Sequence, residues 1–166
     1  PLEAAIANVN RHVHGMTHVG HFVALFAAVV DPRTGVIEYC VAGIEPPLWI
    51  RPALGRVERL ARGGPVLGVD PQAGYHVGTI RLAPGETLVA YTDGVIDEED
   101  ENEQEFGFEA LVRLLGASGD LAAEALRNRI FERVEADAAG DAVDDTTVVV
   151  VRRSSGVQVG TDRAGA

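Results

Sequence analysis

From residue 22 to residue 91 the chain is cut into short apolar runs by turns that carry proline early and glycine late. Asp31-Pro32-Arg33-Thr34-Gly35, Pro52-Ala53-Leu54-Gly55 and Ala83-Pro84-Gly85-Glu86 are the clearest. Proline presets the turn dihedral and glycine takes conformations closed to other residues, so no helix continues through these points. The intervening runs read as strands over 22–30, 36–41, 48–51, 57–61, 75–82 and 87–91, joined by hairpins into a long antiparallel meander. Residues 22–30 are uniformly apolar and read as a buried strand. The β-branched run 146–151 reads as a central strand, buried on both faces.

Helical periodicity flanks this block. Leu2, Ile6, Val9 and Val13 put an apolar stripe on a helix over 3–13. Phe108, Leu111, Val112 and Leu115 mark a second helix. Asp120 is placed to cap a third, which runs to about residue 137 with Ala122, Leu126, Ile130 and Val134 on one face. Strands and helices are segregated, which predicts an α+β fold with helices packed on sheets. A length of 166 residues fits one domain. We expect it over 1–153, with the Gly-, Ser- and Ala-rich residues 154–166 as a flexible tail.

Charge narrows the partners. There are 14 basic and 25 acidic residues, a net charge of −11, and every basic residue is Arg. Such a surface repels a phosphate backbone, so nucleic acid is not expected. The apolar run 22–30 is far shorter than the roughly 20 residues of a membrane span, so no membrane is expected either. The single cysteine, Cys40, sits in an apolar run and reads as core filler in a reducing, cytoplasmic setting. No basic segment leads into an apolar core at the N-terminus. The chain opens on Pro1, which reads as a fragment or processed product.

Two acidic motifs at strand ends carry the chemistry: Tyr91-Thr92-Asp93-Gly94-Val95 and Asp144-Asp145-Thr146-Thr147. If their strands are neighbours, Asp93 and Asp144 converge, and hard divalent ions such as Mg²⁺ or Mn²⁺ bind such oxygen donors. Gly94 is expected to let the backbone turn at once. The same letters also fit plain turn and cap residues. Other clusters have simpler readings. His12, His14, His18 and His21 fit a helix C-terminus followed by an exposed loop, although they lie close enough together to suggest a transition-metal site. Seven carboxylates in residues 97–105 read as a solvated flap. Trp49 and Phe22 read as core. Residues 63–68 form a Gly-rich loop but lack the Lys-Ser/Thr of a phosphate loop.

Read in order, the chain resembles the metal-dependent protein phosphatase (PPM) superfamily in its bacterial SpoIIE/RsbU branch. The resemblance rests on Asn10-Arg11 in the first helix, Asp31-Pro32-Arg33-Thr34-Gly35, Ala42-Gly43 with Pro46-Pro47-Leu48, and Gly64-Pro65-Val66-Leu67-Gly68. It continues through Leu82-Ala83-Pro84-Gly85-Glu86, Tyr91-Thr92-Asp93-Gly94-Val95, Phe106-Gly107 and Asp144-Asp145-Thr146-Thr147. It implies a four-layer αββα sandwich, two Mn²⁺ or Mg²⁺ ions at the sheet edge, and phosphoserine or phosphothreonine hydrolysis by metal-activated water. By match to the motifs, Asp93 and Asp144 are metal ligands, Asp145 and Thr146 support them, and Gly94 is a backbone requirement. The implied substrate is a phosphorylated regulatory protein such as an anti-anti-sigma factor, in bacterial stress or developmental signalling.

Two departures stand beside the resemblance. The family's acidic Gly-Asp strand and Asp-Val-Ser-Gly-type turn have no counterpart here, so the chain resembles the C-terminal portion of the domain. It is expected not to complete a two-metal centre or to be active by itself. It should also expose sheet edges that drive homo-oligomerisation, strand exchange or rearrangement. Ile44-Glu45 stands where the family commonly has His-Asn, which puts that loop's hydrogen bonding in doubt. The rival reading is a non-catalytic binding module that keeps the sandwich without a working metal centre.

Overall fold

The computed structural model describes residues 1–16, 21–96, 107–137 and 145–154. The order is α1 (Leu2–Met16), β1 (Leu25–Val30), β2 (Val36–Ala42), β3 (Leu48–Arg51), β4 (Arg56–Arg59), β5 (Gly63–Gly64), β6 (Gly78–Arg81), β7 (Thr87–Tyr91), α2 (Phe108–Ala117), α3 (Ala123–Asp137) and β8 (Val148–Arg152). The strands form two sheets. In the first, β2 is central, with β1 on one side and β5 and β6 sharing the other. In the second the order is β4-β3-β7-β8.

Side-chain alternation along the strands sets the layers. On β2, Cys40 and Ala42 face α1 and pack with Ile6, Leu67 and Tyr75. Ile37, Tyr39 and Val41 face the other way and pack with Leu88 between the sheets. On the second sheet Leu48, Ile50, Val89 and Tyr91 face outward, under Leu111 and Leu115 of α2 and Leu126, Ile130 and Val134 of α3. The result is the expected αββα sandwich. Each fully buried Leu, Ile or Val in these layers contributes about 1.5–3 kcal/mol.

Buried polar groups tie the layers together. Asn10 of α1 is fully buried; its amide donates to Asp70 O (2.8 Å) and its oxygen accepts the Gly68 N–H (2.8 Å). Glu86 accepts hydrogen bonds from Trp49 Nε1 (3.0 Å), Arg51 Nε (3.1 Å) and the Ala83 N–H (2.9 Å), joining β3 to the corner before β7. At the chain's far end Arg153 donates to Thr34 O and Leu82 O, bridging the β1–β2 turn to that same corner.

Several expectations are corrected. The strands do not form a meander, because β2 and β5 pair in parallel and β6 and β7 lie in different sheets. The turn 83–86 is a corner, not a hairpin. Leu82 N–H still bonds Gly35 O in the first sheet, while Gly85 N–H bonds Arg153 O beside the second. Gly85 makes the switch at φ +89°. The strand expected at 75–82 shortens to β6. Gly63–Gly64, expected as loop, is a short strand whose approach to Val41 leaves no space for a Cβ.

Burial also differs. The run expected as a buried strand forms β1 only from Leu25, at a sheet edge, and Phe22 is 60% exposed rather than core. Among the described residues the run 146–151 forms β8 at the edge of its sheet rather than at its centre, with Val149 exposed. It is apolar because Val148 and Val150 pack beneath the helices and Val151 packs between the sheets. Asp120 is exposed, and α3 starts later, with Ala122 O accepting the first helical bond from Leu126 N–H. In α1, Val9 is exposed and Asn10 takes the buried position beside it.

Candidate functional site

β7 and β8 are antiparallel neighbours with Tyr91 opposite Val148, so the end of one strand lies beside the start of the other. Pairing continues past both strands: Thr92 N–H bonds Thr147 O (3.1 Å). The Thr92 hydroxyl accepts the Thr147 N–H (2.9 Å) and donates to Asp145 O (3.1 Å). From the other side the Thr146 hydroxyl donates to Gly94 O (3.1 Å). Four contacts therefore hold the segment 92–94 against the segment 145–147. Thr92 was not singled out from sequence, yet it makes three of them. A hydroxyl residue directly before Asp-Gly at a strand end is the signal that would have marked it.

Asp93 opens a 3₁₀ turn over Asp93–Val95. Its side chain is solvent-exposed, and Oδ1 accepts the Gly94 N–H at 3.1 Å. Gly94 is buried inside this turn and is not among the glycines with positive φ, so left-handed freedom is not what the turn uses. Asp145 and Thr146 lie beside this turn. Asp144, the residue just before them, lies outside the described residues, as do His18 and residues 97–105.

The replaced loop pair has its own solution. Glu45 Oε2 accepts from Arg59 Nη2 at 3.1 Å, and the Arg59 guanidinium stacks 4.4 Å above the Phe108 ring at the start of α2. Glu45 thus supplies a polar contact at the position where the doubt arose, joining the β2–β3 loop to β4. This pair lies near Tyr91. Burial pushes the Tyr91 phenol up to about 12, Glu45 adds to the rise and Arg59 offsets it.

Further candidates lie elsewhere. His12 and His14 are exposed near the end of α1, with His14 Nδ1 2.8 Å from Gly68 O. Cys40 is buried, and its thiol is raised above its ordinary value, first by burial and then by Glu3. Among the described residues no group of three or more His, Cys, Asp or Glu could hold a metal ion. Among them, too, no helix is long and apolar enough to cross a membrane.

Comparison with known proteins agrees with this architecture. Residues 1–154 match the Stage II sporulation protein E (SpoIIE) family. The chain belongs to the SpoIIE family. It is 32% identical over 133 residues to protein IcfG of Synechocystis sp. (strain ATCC 27184 / PCC 6803 / Kazusa), covering 80% of this chain and 21% of that protein. It therefore spans about a fifth of the length of this curated relative. Among solved structures, the SiaA-PP2C domain of Pseudomonas aeruginosa superposes with a TM-score of 0.76 at 19% identity, covering 90% of this chain and 60% of that one. The phosphatase domain of the cell fate determinant SpoIIE from Bacillus subtilis, presoaked with Mn, gives 0.67 at 17% identity, covering 93% and 68%. At these identities the two structures establish the shared fold: this SpoIIE-family chain has the PPM phosphatase sandwich.

Proposed function

We propose that this SpoIIE-family chain forms part of a Mn²⁺- or Mg²⁺-dependent protein serine/threonine phosphatase. The observation that carries the reading is the pinning of 92–94 against 145–147, which supports a shared role for Asp93 and Asp144 at one sheet edge. Carboxylate oxygens are the donors that hard divalent ions take. The described residues supply Asp93 with the segment that follows Asp144, and the family's remaining acidic motifs are not in this sequence. Bound divalent ions would supply Lewis-acid activation of water and charge neutralisation at the phosphate. The chain's own part is positional. Thr92 and Thr146 fix the two strand ends, and the Gly94 N–H orients the Asp93 carboxylate. No protein nucleophile is used, and the buried Cys40 thiol stays inert. The proposed substrate is a phosphorylated regulatory protein of the anti-anti-sigma-factor kind, in cytoplasmic bacterial signalling.

The test is Mn²⁺-dependent hydrolysis of a phosphoserine peptide, by this chain and by a form extended upstream. The extended form should be active, and Asp93→Asn or Asp144→Asn should each lower kcat by at least about 100-fold. Activity that survives both substitutions would refute the assignment. Inactivity of both forms would favour the binding module.

A further inference from the structure

We infer that Arg152 and Arg153 are positioning residues: together they fix the register of β8 against β7, and so the place of residues 145–147 beside Asp93. What that placement serves rests on the proposed function. The need for such a device lies in the sequence. Thr146-Thr147 is followed by four valines, Val148 to Val151. A run so uniform lacks the hydrophobic pattern that normally specifies register. A slip of two residues sets Val148 opposite Val89 and Val150 opposite Thr87, leaving valines beneath the helices. It also carries residues 145–147 about 7 Å along β7. The opposite slip is disfavoured, because it brings Arg152 opposite Val89 under the helices.

The two arginines close the run and are anchored on opposite faces of the sheet, as consecutive strand residues are. Arg152 lies opposite Thr87. Its Nη1 donates to the buried Thr87 hydroxyl (3.0 Å) and to Gly119 O (2.6 Å), between α2 and α3. Arg153 Nη1 donates to Thr34 O (2.8 Å) in the β1–β2 turn and to Leu82 O (2.7 Å) after β6. The Arg153 backbone N–H bonds Glu86 O (3.0 Å), and its carbonyl accepts the Gly85 N–H (2.7 Å). Gly35 leaves room for this guanidinium, since a Cβ there would collide with Arg153 Nη1. One end of β8 is thus tied to β7, to the helical layer and to the first sheet, and none of these partners moves with β8.

The other end of the run is held by Thr92 and Thr146, through neutral and mostly solvent-exposed hydroxyl bonds. Bonds from a guanidinium are charge-assisted and roughly twice as strong as neutral ones. A two-residue slip breaks the side-chain contacts of both arginines at once. From Thr147 to Arg152 the strand extends about 17 Å. The register that brings 92–94 against 145–147 is therefore set chiefly from the end of β8 remote from Asp93.

NMR of the 166-residue chain tests this, with circular dichroism to check folding. The wild type should show Hα–Hα contacts for Val89–Val150 and Tyr91–Val148, the closely spaced pairs of the native register. The double variant Arg152→Gln/Arg153→Gln should add a Val89–Val148 contact from the slipped register. It should also raise the apparent Mn²⁺ dissociation constant, read from broadening at residues 92–95, at least about tenfold. Arg152→Gln and Arg153→Gln alone should show the same changes more weakly, and they keep the test open should the double variant misfold. Asn10→Ala destabilises the fold at α1 and should change neither reading, which separates register from general stability. Native contacts alone with unchanged Mn²⁺ binding in the folded arginine variants, equal changes in Asn10→Ala, or unfolding of all three arginine variants would overturn the inference. A wild type in native register without Mn²⁺ broadening at the strand ends refutes the proposed function instead, and the Hα contacts still decide the register.

Discussion

Asn10 offers a sharp test of how the fold is held. Its side chain is fully buried and makes two backbone hydrogen bonds of 2.8 Å, to Gly68 N–H and Asp70 O, across some sixty residues of sequence. Asn10→Ala removes both bonds, strands a buried N–H at Gly68 and opens a small cavity. Two neutral hydrogen bonds contribute about 1 kcal/mol each, and an orphaned buried donor costs about 1–3 kcal/mol, so the loss should be about 3 kcal/mol. Asn10→Asp separates the two bonds. Its carboxylate still accepts from Gly68 but turns a charged oxygen toward the Asp70 carbonyl. Protonation restores a donor there, so the folded state favours the protonated acid and its pKa rises above the unfolded value. The stability this provides is full below the unfolded pKa and is lost as pH rises through the folded one. Asn10→Asp should therefore be nearly as damaging as Asn10→Ala at pH 7 and recover toward pH 4. Urea unfolding monitored by circular dichroism reads both effects as a lower midpoint at unchanged slope. Losses under about 0.5 kcal/mol, or an Asp variant that does not respond to pH, would refute the reasoning.

Three further outcomes are expected. Glu86→Ala removes the acceptor shared by Trp49, Arg51 and Ala83, and should cost about 3 kcal/mol, lowering Tm by roughly 6–10 °C in thermal melts, with Glu86→Gln milder. Burial raises Tyr91 to about 12, so its neutral form stabilises the fold below the unfolded value of about 10, and that contribution disappears between there and pH 12. An ultraviolet titration should find one tyrosine ionising near pH 12, and Tyr91→Phe should abolish that step. Calorimetric titration of this chain should find fewer than two tight Mn²⁺ sites, since Asp93 and Asp144 supply two negative charges against the four positive charges of a two-ion centre.

Local chemistry was legible in the sequence and partnership less so. Strands 48–51 and 87–91 emerge at their expected bounds because Pro52, Gly85 and Asp93-Gly94 interrupt the chain there. Helix α2 follows from the spacing of Phe108, Leu111 and Leu115, two of which are fully buried. Which sheet a strand joins was not legible. A Pro-Gly turn looks the same whether it closes a hairpin, as at Pro32 and Gly35, or carries the chain around a corner, as at Pro84 and Gly85. Edge and centre were confused for the same kind of reason. Val148, Val150 and Val151 of β8 and Leu25, Phe26 and Ala27 of β1 are apolar because of what lies above and below the sheet, and that composition says nothing about the neighbour beside the strand. At the candidate site the two Asp motifs could act together only if their strands were neighbours, and β7 and β8 do pair. The threonine hydrogen bonds that hold the strand ends together, and the Glu45–Arg59 contact, became visible only in three dimensions.

The central claim is that Asp93 and Asp144 serve one cation. It is tested most directly by Mn²⁺-induced broadening of backbone amide NMR signals in this chain. The account predicts broadening centred jointly on residues 92–95 and 145–147 and abolished by Asp93→Asn. Broadening confined to the histidines of α1 or to the acidic stretch 97–105, with the strand ends unaffected, would contradict it.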